Sequence, residues 1–349
     1  MTTTAIICEF NPLHSGHKKL IDYAKTFSDR IVCIMSGNFT QRGMPACADK
    51  YSRAKHAVLS GADLVVELPT IYAIAAAENF ALGGVQIANI LKVNNLLFGS
   101  ECGDISQLQE CAVLLDDSNI NRQIASELSK GVSYPKAVAT ALDSHILESP
   151  NNILAIEYLR AIKKTRSNIV PVTVKRENNY NGTPQQFASS AALRNDKALR
   201  KLYSYDFVSR DIDDSIELQY KDFAVSVLSL YEKTQLYEIE GVIEGLENRI
   251  FNADKTCGYD KMIEEIKSKR YTRLKLQRII LNAILNITKE TAEQSKQQKP
   301  EIKVLAVKSD KVNLLAGIEN KSDKLTLKAD RLYYSLSNKV PPTKLIKID

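Results

Sequence analysis

Five short runs of β-favouring apolar residues punctuate the first two hundred residues of this chain: Ala5–Cys8, Ile31–Met35, Asp63–Leu68, Asn95–Phe98 and Ile169–Val174. Helical patterns lie between them, at Lys18–Phe27, Lys50–Ser60, Ala76–Lys92 and in several stretches between Ile105 and Lys164. Antiparallel neighbours need only a tight hairpin, whereas parallel neighbours need a crossover long enough to hold a helix. The alternation therefore predicts an α/β fold, a doubly wound parallel sheet with helices on both faces. Ligands of such sheets bind beyond the carboxyl ends of the strands. The turns leaving the strands are where chemistry is expected.

The first of these turns reads Phe10-Asn11-Pro12-Leu13-His14-Ser15-Gly16-His17. A strand that stops at a Pro/Gly turn and restarts as a helix aims backbone N–H groups and a positive dipole end into the turn, which suits an anion. His14 and His17 add donors for phosphate oxygens as charge develops. A helical zinc pair sits at i and i+4, and no Cys or His cluster completes a set here, so no metal site is expected. His56 and His145 are read as structural or surface residues. Other polar turns follow the second strand (Ser36–Gly43), the fourth (Gly99–Asp104) and the fifth (Lys175-Arg176, then Phe187–Arg194).

Within Phe187–Arg194, Ser189 or Ser190 can cap a helix or meet a phosphate, and Arg194 lies one turn deeper on about the same face. Its guanidinium can grip two phosphate oxygens. Asn151 and Asn152 can cap the helix expected at Ile153–Lys163 or read an adenine or ribose edge. Arg176 ends the fifth strand. Asp49, Asp63, Glu67, Glu78, Glu101 and Asp104 are carboxylates that could hold Mg2+ through water, and spacing does not choose among them. Glu67 lies inside a strand, where a charge needs a partner.

The 349 residues suffice for about two domains on a 150-residue prior. Residues 1–200 are read as a nucleotide-binding catalytic domain. Residues 201–349, where helical periodicity dominates, are read as a mostly helical basic domain. Arg249–Gly258 is expected as a loop, Thr288–Pro300 as a loop or frayed helix end, and Glu301–Ala329 as a mixed segment with room for added strands. A net charge of +6 permits a nucleic-acid partner without proving one. The basic run Lys267–Arg278 is expected to form an amphipathic helix that either meets an RNA backbone or is simply solvated. Tyr333-Tyr334 is expected in the core. Six cysteines without a C-x-x-C pair are read as reduced thiols of a cytoplasmic protein, and no apolar run is long enough to span a membrane.

Taken together, these stretches resemble one family. H-x-G-H with a later Ser-Ser-x-x-Leu-Arg is the pattern of the nucleotidyltransferase-like α/β superfamily. Within it, the chain resembles the bacterial tRNA(Met) cytidine acetate ligases over Cys8–His17, Ser36–Pro69, Ala77–Val85, Phe98–Asp104, Ser149–Leu159 and Phe187–Arg194, and more loosely over Lys269–Ile280 and Ala329–Leu336. The resemblance implies an ATP-dependent enzyme that activates acetate as acetyl-adenylate and acetylates N4 of the wobble cytidine of elongator tRNA(Met). It implies an ATP site made of Ile7, Cys8, Glu9, Phe10, Asn11, Pro12, Leu13, His14, Ser15, Gly16, His17, Lys18, Lys19, Leu20, Gly99, Asn151 or Asn152, and Arg176, with Ser189 and Ser190 alongside. Catalysis would rest on His14, His17 and Arg194, with Mg2+ accompanying ATP. Lys269, Arg270, Arg273 and Arg278 would meet tRNA. The alternatives are an adenylyltransferase acting on a phosphorylated cofactor precursor, and a non-catalytic RNA-binding protein.

Overall fold

A computed structural model describes residues 1–132, 134–142, 144, 146–176, 189–268, 270–342 and 345–349. His145, Lys269 and the Phe187-Ala188 part of the Phe187–Arg194 stretch lie outside the described residues. Seven strands form one sheet: β1 (Thr3–Cys8), β2 (Arg30–Ser36), β3 (Leu64–Leu68), β4 (Asn95–Ser100), β5 (Val170–Lys175), β6 (Val304–Lys308) and β7 (Ile346–Ile348). Their order is β5-β4-β1-β2-β3-β6-β7. The first five run parallel, as the alternation predicts. β6 joins β3 antiparallel, and β7 runs parallel to β6. The chain thus winds from β1 through β2 to β3 on one side, then returns to place β4 on the other. That reversal opens a crevice at the carboxyl ends of β1 and β4, where α/β sheets bind ligands.

Successive strand residues face opposite ways, so the sheet divides two cores. Ala5, Ile7, Val32, Ile34, Leu96 and Phe98 face the helices Ala77–Ile90 and Pro150–Lys164. Ile6, Ile31, Cys33, Met35 and Leu97 face the helices Ser15–Lys25 and Lys50–Leu59. Gly84 lets the Ala77–Ile90 helix close on β1, because a Cβ there would lie 2.4 Å from the Ile7 side chain.

Beyond residue 200 the chain is mostly helical, as expected, yet β6 and β7 extend the sheet built by residues 1–200. The Thr288–Pro300 stretch contains a helix, Lys289–Gln297, whose N-cap Thr288 accepts from the Thr291 N–H at 3.1 Å. Arg249 to Asn252 ends another helix, so the expected loop is shorter. Tyr333 is core, and its hydroxyl donates to the Ala46 carbonyl at 3.0 Å. The basic run does not start a helix at Lys267. One helix ends at Ile266, a turn follows, and the next opens at Arg273 behind the N-cap Thr272.

Candidate active site

β1 ends at Cys8, and the helix Ser15–Lys25 begins seven residues on. The intervening turn contains a cis Asn11–Pro12 bond and Phe10 at φ 46°, the left-handed region that a bulky residue enters only at a cost of roughly 1 kcal/mol or more. Phe10 and Leu13 are wholly buried, so their side chains anchor the turn and leave only backbone to a ligand. Asn11 Oδ1 accepts from the Cys47 N–H at 2.8 Å, and the Glu9 carboxylate accepts from the Gln41 N–H at 2.7 Å. Burial pushes the Cys8 thiol well above the usual thiol range.

His14 is the N-cap of that helix. Its Nδ1 accepts from the Gly16 N–H at 3.1 Å, and His17 Nδ1 accepts from the His14 N–H at 3.3 Å. The rings stack with centroids 3.8 Å apart. A capping box usually uses a hydroxyl and a carboxylate; here two imidazoles do both jobs. With both Nδ1 atoms accepting, each ring carries its proton on Nε2 and is a neutral donor. Burial, then the Arg176 charge, lowers the His14 pKa to about 4. Burial, then the charges of His14 and Arg176, holds His17 well below the ordinary histidine value. The expectation that backbone N–H groups open into the turn is corrected by the same contacts. Gly16 N–H goes to His14 Nδ1, while the His17 and Lys18 N–H groups go to the His14 carbonyl at 2.9 and 3.1 Å. The imidazole Nε2–H groups and the positive end of the helix dipole remain as what the turn could offer an anion. A Cβ at Gly16 would sit 3.0 Å from His14 Cε1, so the stacked ring would have to give by a few tenths of an ångström to admit one.

The depressed His14 pKa sets a stability signature. The unfolded chain takes up this proton near pH 6.5, the folded chain only near pH 4, so stability falls as pH drops through that window and is flat above it. The full loss is about 3 kcal/mol by pH 4. In His14→Gln, the deficit against wild type at pH 7 should therefore shrink, then reverse, as urea midpoints are measured down to pH 4.5. A constant deficit would show that His14 titrates normally.

Other predicted residues converge on this turn from distant segments. The Arg194 guanidinium donates to the Asn11 carbonyl, and Ser190 Oγ donates to the Pro12 carbonyl at 3.1 Å. Ser189 caps the short helix Ser190–Asn195, accepting from the Ala192 N–H at 3.2 Å. Arg176 lies over Gly99, where a Cβ would come within 3.2 Å of its Cγ, and its charge reaches both histidines. Lys18 pairs with Asp22 at 2.6 Å. Lys19 is exposed on the same helix, next to the half-buried Leu20.

Asn151 and Asn152 lie inside the first turn of Pro150–Lys164, not ahead of it. Asn152 is buried. Its Oδ1 accepts from the Glu101 and Cys102 N–H groups at 2.9 and 3.2 Å, and its amide donates to the Ile146 carbonyl at 2.9 Å. Its side chain therefore builds the β4 turn, and the nucleotide-edge reading passes to the half-exposed Asn151. The Glu101 carboxylate accepts from Asn151 Nδ2 at 2.7 Å and the Asn152 N–H at 2.8 Å.

Sequence reasoning missed a set of buried charges behind the turns. Lys50 Nζ lies 2.8 and 2.7 Å from the two Glu67 oxygens and 2.5 Å from Asp330 Oδ2. Asn38 bridges them, donating to Asp330 at 2.9 Å while its Oδ1 accepts from the Lys50 N–H at 2.8 Å. Burial raises the Glu67 pKa to about 7 despite Lys50. The strand position of Glu67 signalled a partner, but nothing local named Asp330. Arg53 is fully buried as well.

The basic segment is divided. Arg273 pairs with Asp260 and, at 3.1 Å, with Glu264. Arg278 donates to the Gln41 carbonyl at 3.3 Å, joining its helix to the β2 turn. Tyr271 is buried, and the exposed Arg270 and the half-buried Lys275 lie over its ring.

A family model described as HIGH Nucleotidyl Transferase matches residues 1–338. The tRNA(Met) cytidine acetate ligase of Acetivibrio thermocellus is 35% identical, covering 92% of this chain and 86% of its own. That of Clostridium novyi is 36% identical, covering 92% and 88%. The crystal structure of Thermotoga maritima TmcAL bound with alpha-thio ATP superposes with a TM-score of 0.86 at 26% identity, covering 99% of this chain and all of that one. The paired-imidazole turn at the sheet's switch point and the likeness along nearly the whole chain agree: this chain belongs to the HIGH nucleotidyl transferase family, among the tRNA(Met) cytidine acetate ligases.

Proposed function

We propose that this chain is an ATP-dependent ligase that activates acetate as acetyl-adenylate and acetylates N4 of the wobble cytidine of elongator tRNA(Met). The observation that carries the reading is the convergence of His14, His17, Gly99, Arg176 and Arg194 on one crevice, in a chain of this family. In the first step an acetate oxygen attacks the α-phosphorus and pyrophosphate leaves. No protein nucleophile is needed; the site must hold two anions together and stabilise the charge gathering on phosphate oxygens. His14 and His17 offer neutral Nε2–H donors, and Arg176 and Arg194 offer positive charge. In the second step the cytidine amine attacks the acetyl carbon, AMP leaves, and N4 loses a proton. The base unstacks to reach the anhydride.

Mg2+ belongs to this proposal only as a companion of the phosphates. Among the described residues no group of three or more His, Cys, Asp or Glu could hold a metal. The carboxylates considered from sequence have other work: Asp49 and Asp104 cap helices, Asp63 accepts from the Ile31 N–H, Glu67 binds Lys50, Glu78 pairs with Lys164 and Glu101 binds Asn151.

Residues 1–200 are assigned the chemistry, and residues 201–349 the docking of tRNA, with Arg270 as the exposed contact and Arg278 at the junction with the β2 turn. Arg273 meets tRNA only by sharing itself with Asp260 and Glu264. Among the described residues no helix is long and apolar enough to cross a membrane, and all six cysteines are free; the reading places the enzyme in the cytoplasm with its tRNA. Incubation with labelled acetate, ATP and total tRNA is expected to place label in tRNA. Label in a small dinucleotide product would favour an adenylyltransferase, and none at all a non-catalytic RNA binder.

A further inference from the structure

Arg53, on the Lys50–Leu59 helix, is fully enclosed, yet among the described residues no carboxylate pairs with it. Its partners are four backbone carbonyls. Nε donates to Ala48 at 2.9 Å, Nη1 to Glu9 at 2.6 Å and to Ser36 at 3.2 Å, and Nη2 to Gly37. Glu9 stands just past the end of β1, Ser36 ends β2, and Gly37 opens the turn after it. A buried cation without a counter-ion is costly, and carbonyl dipoles offset it only in part. A helix-capping or packing role would be met by a neutral side chain.

We propose that Arg53 is a positioning residue for anionic substrate at the β1–β2 edge of the crevice. This deepens the ATP-dependent reading above and rests on it. Three carbonyl oxygens at the strand exits are drawn back onto the guanidinium, so they cannot confront a polyphosphate. The Glu9 carboxylate is likewise turned away, onto the Gln41 N–H. Its positive charge, which no acid among the described residues neutralises, remains beneath the turn that leads to His14. Both effects favour a ligand in proportion to its negative charge, and neither acts on a neutral one. The planar fork matters too, since an ammonium cannot meet four carbonyls spread over three segments.

The test compares Arg53→Met and Arg53→Lys with wild type for binding of α,β-methylene-ATP, AMP and adenosine by calorimetry. Arg53→Met is expected to weaken the triphosphate analogue by about thirtyfold or more, AMP less and adenosine within about twofold, as loss of a buried charge-bearing donor would do. Arg53→Lys should fall between, recovering part of the triphosphate loss. If Arg53→Met does not fold, Arg53→Lys carries the same graded comparison. Equal loss for adenosine and the triphosphate analogue, or no loss for either, would overturn the proposal and leave Arg53 a purely structural strut. These measurements use neither acetate nor tRNA. Failure of label to reach tRNA, with the graded binding loss intact, would sink the activity reading alone.

Discussion

Replacing His14 or His17 by alanine is expected to slow acetyl-adenylate formation by about a hundred- to a thousandfold each, the usual cost of removing one preorganised donor to a developing oxyanion. Acetate-dependent ATP–pyrophosphate exchange measures it. The two positions should part company in stability. His14 supplies the N-cap acceptor, so His14→Ala also loses about 1 kcal/mol of folding free energy. His14→Asn restores a cap acceptor but not the Nε2–H donor, and should return the lost stability without the lost rate. Unchanged exchange in both alanine variants would remove the histidines from the chemistry. Because neither ring is charged near neutrality, the exchange rate should show no inflection near pH 6.5.

Lys50→Met should produce the largest loss of stability. It leaves Glu67 and Asp330 facing each other, buried, with no cation between them. Breaking such a set by removing one partner costs about 3–5 kcal/mol. The loss depends on pH with a definite sign. Burial already raises the Glu67 pKa to about 7 against the pull of Lys50, and without Lys50 it will rise further. The variant is therefore penalised less at pH 5, where the carboxyl is neutral, than at pH 8, where it must ionise or stay protonated at a cost. Urea midpoints at the two pH values, with Lys50→Met/Glu67→Gln as the compensating double variant, test this. A loss under 1 kcal/mol, equal at both pH values, would show that the carboxylates find other partners.

The parallel part of the sheet was legible because its strands are short, apolar and separated by amphipathic helices; each appears within two residues of its expected limits. β7 was not, because three residues carry no period and are placed by pairing with β6 and by packing of Ile346 and Ile348 against the second core. The paired histidines were legible because their chemistry is local to one turn. Arg53 and Lys50 were not. Each looks like an ordinary cation on an amphipathic helix, and becomes something else only when Glu9, 44 residues away, or Asp330, 280 residues away, folds against it. The basic run misled because its period continues across the turn at Ser268–Thr272, although Thr272 before Arg273 is itself a helix-start signal. Asn152 misled in the other direction: its side chain binds three backbone groups that no pattern reveals.

The antiparallel seat of β6 beside β3 has a consequence for how the protein is born. On the ribosome, β1 to β5 and the histidine turn emerge well before residue 304, but β3 then has one open edge and Lys50 lacks its second acid. A half-made chain therefore presents a bare ribbon of hydrogen-bonding groups to any neighbour, a state that invites clumping and the attention of chaperones. That flank is sealed only when β6 and the helix carrying Asp330 arrive.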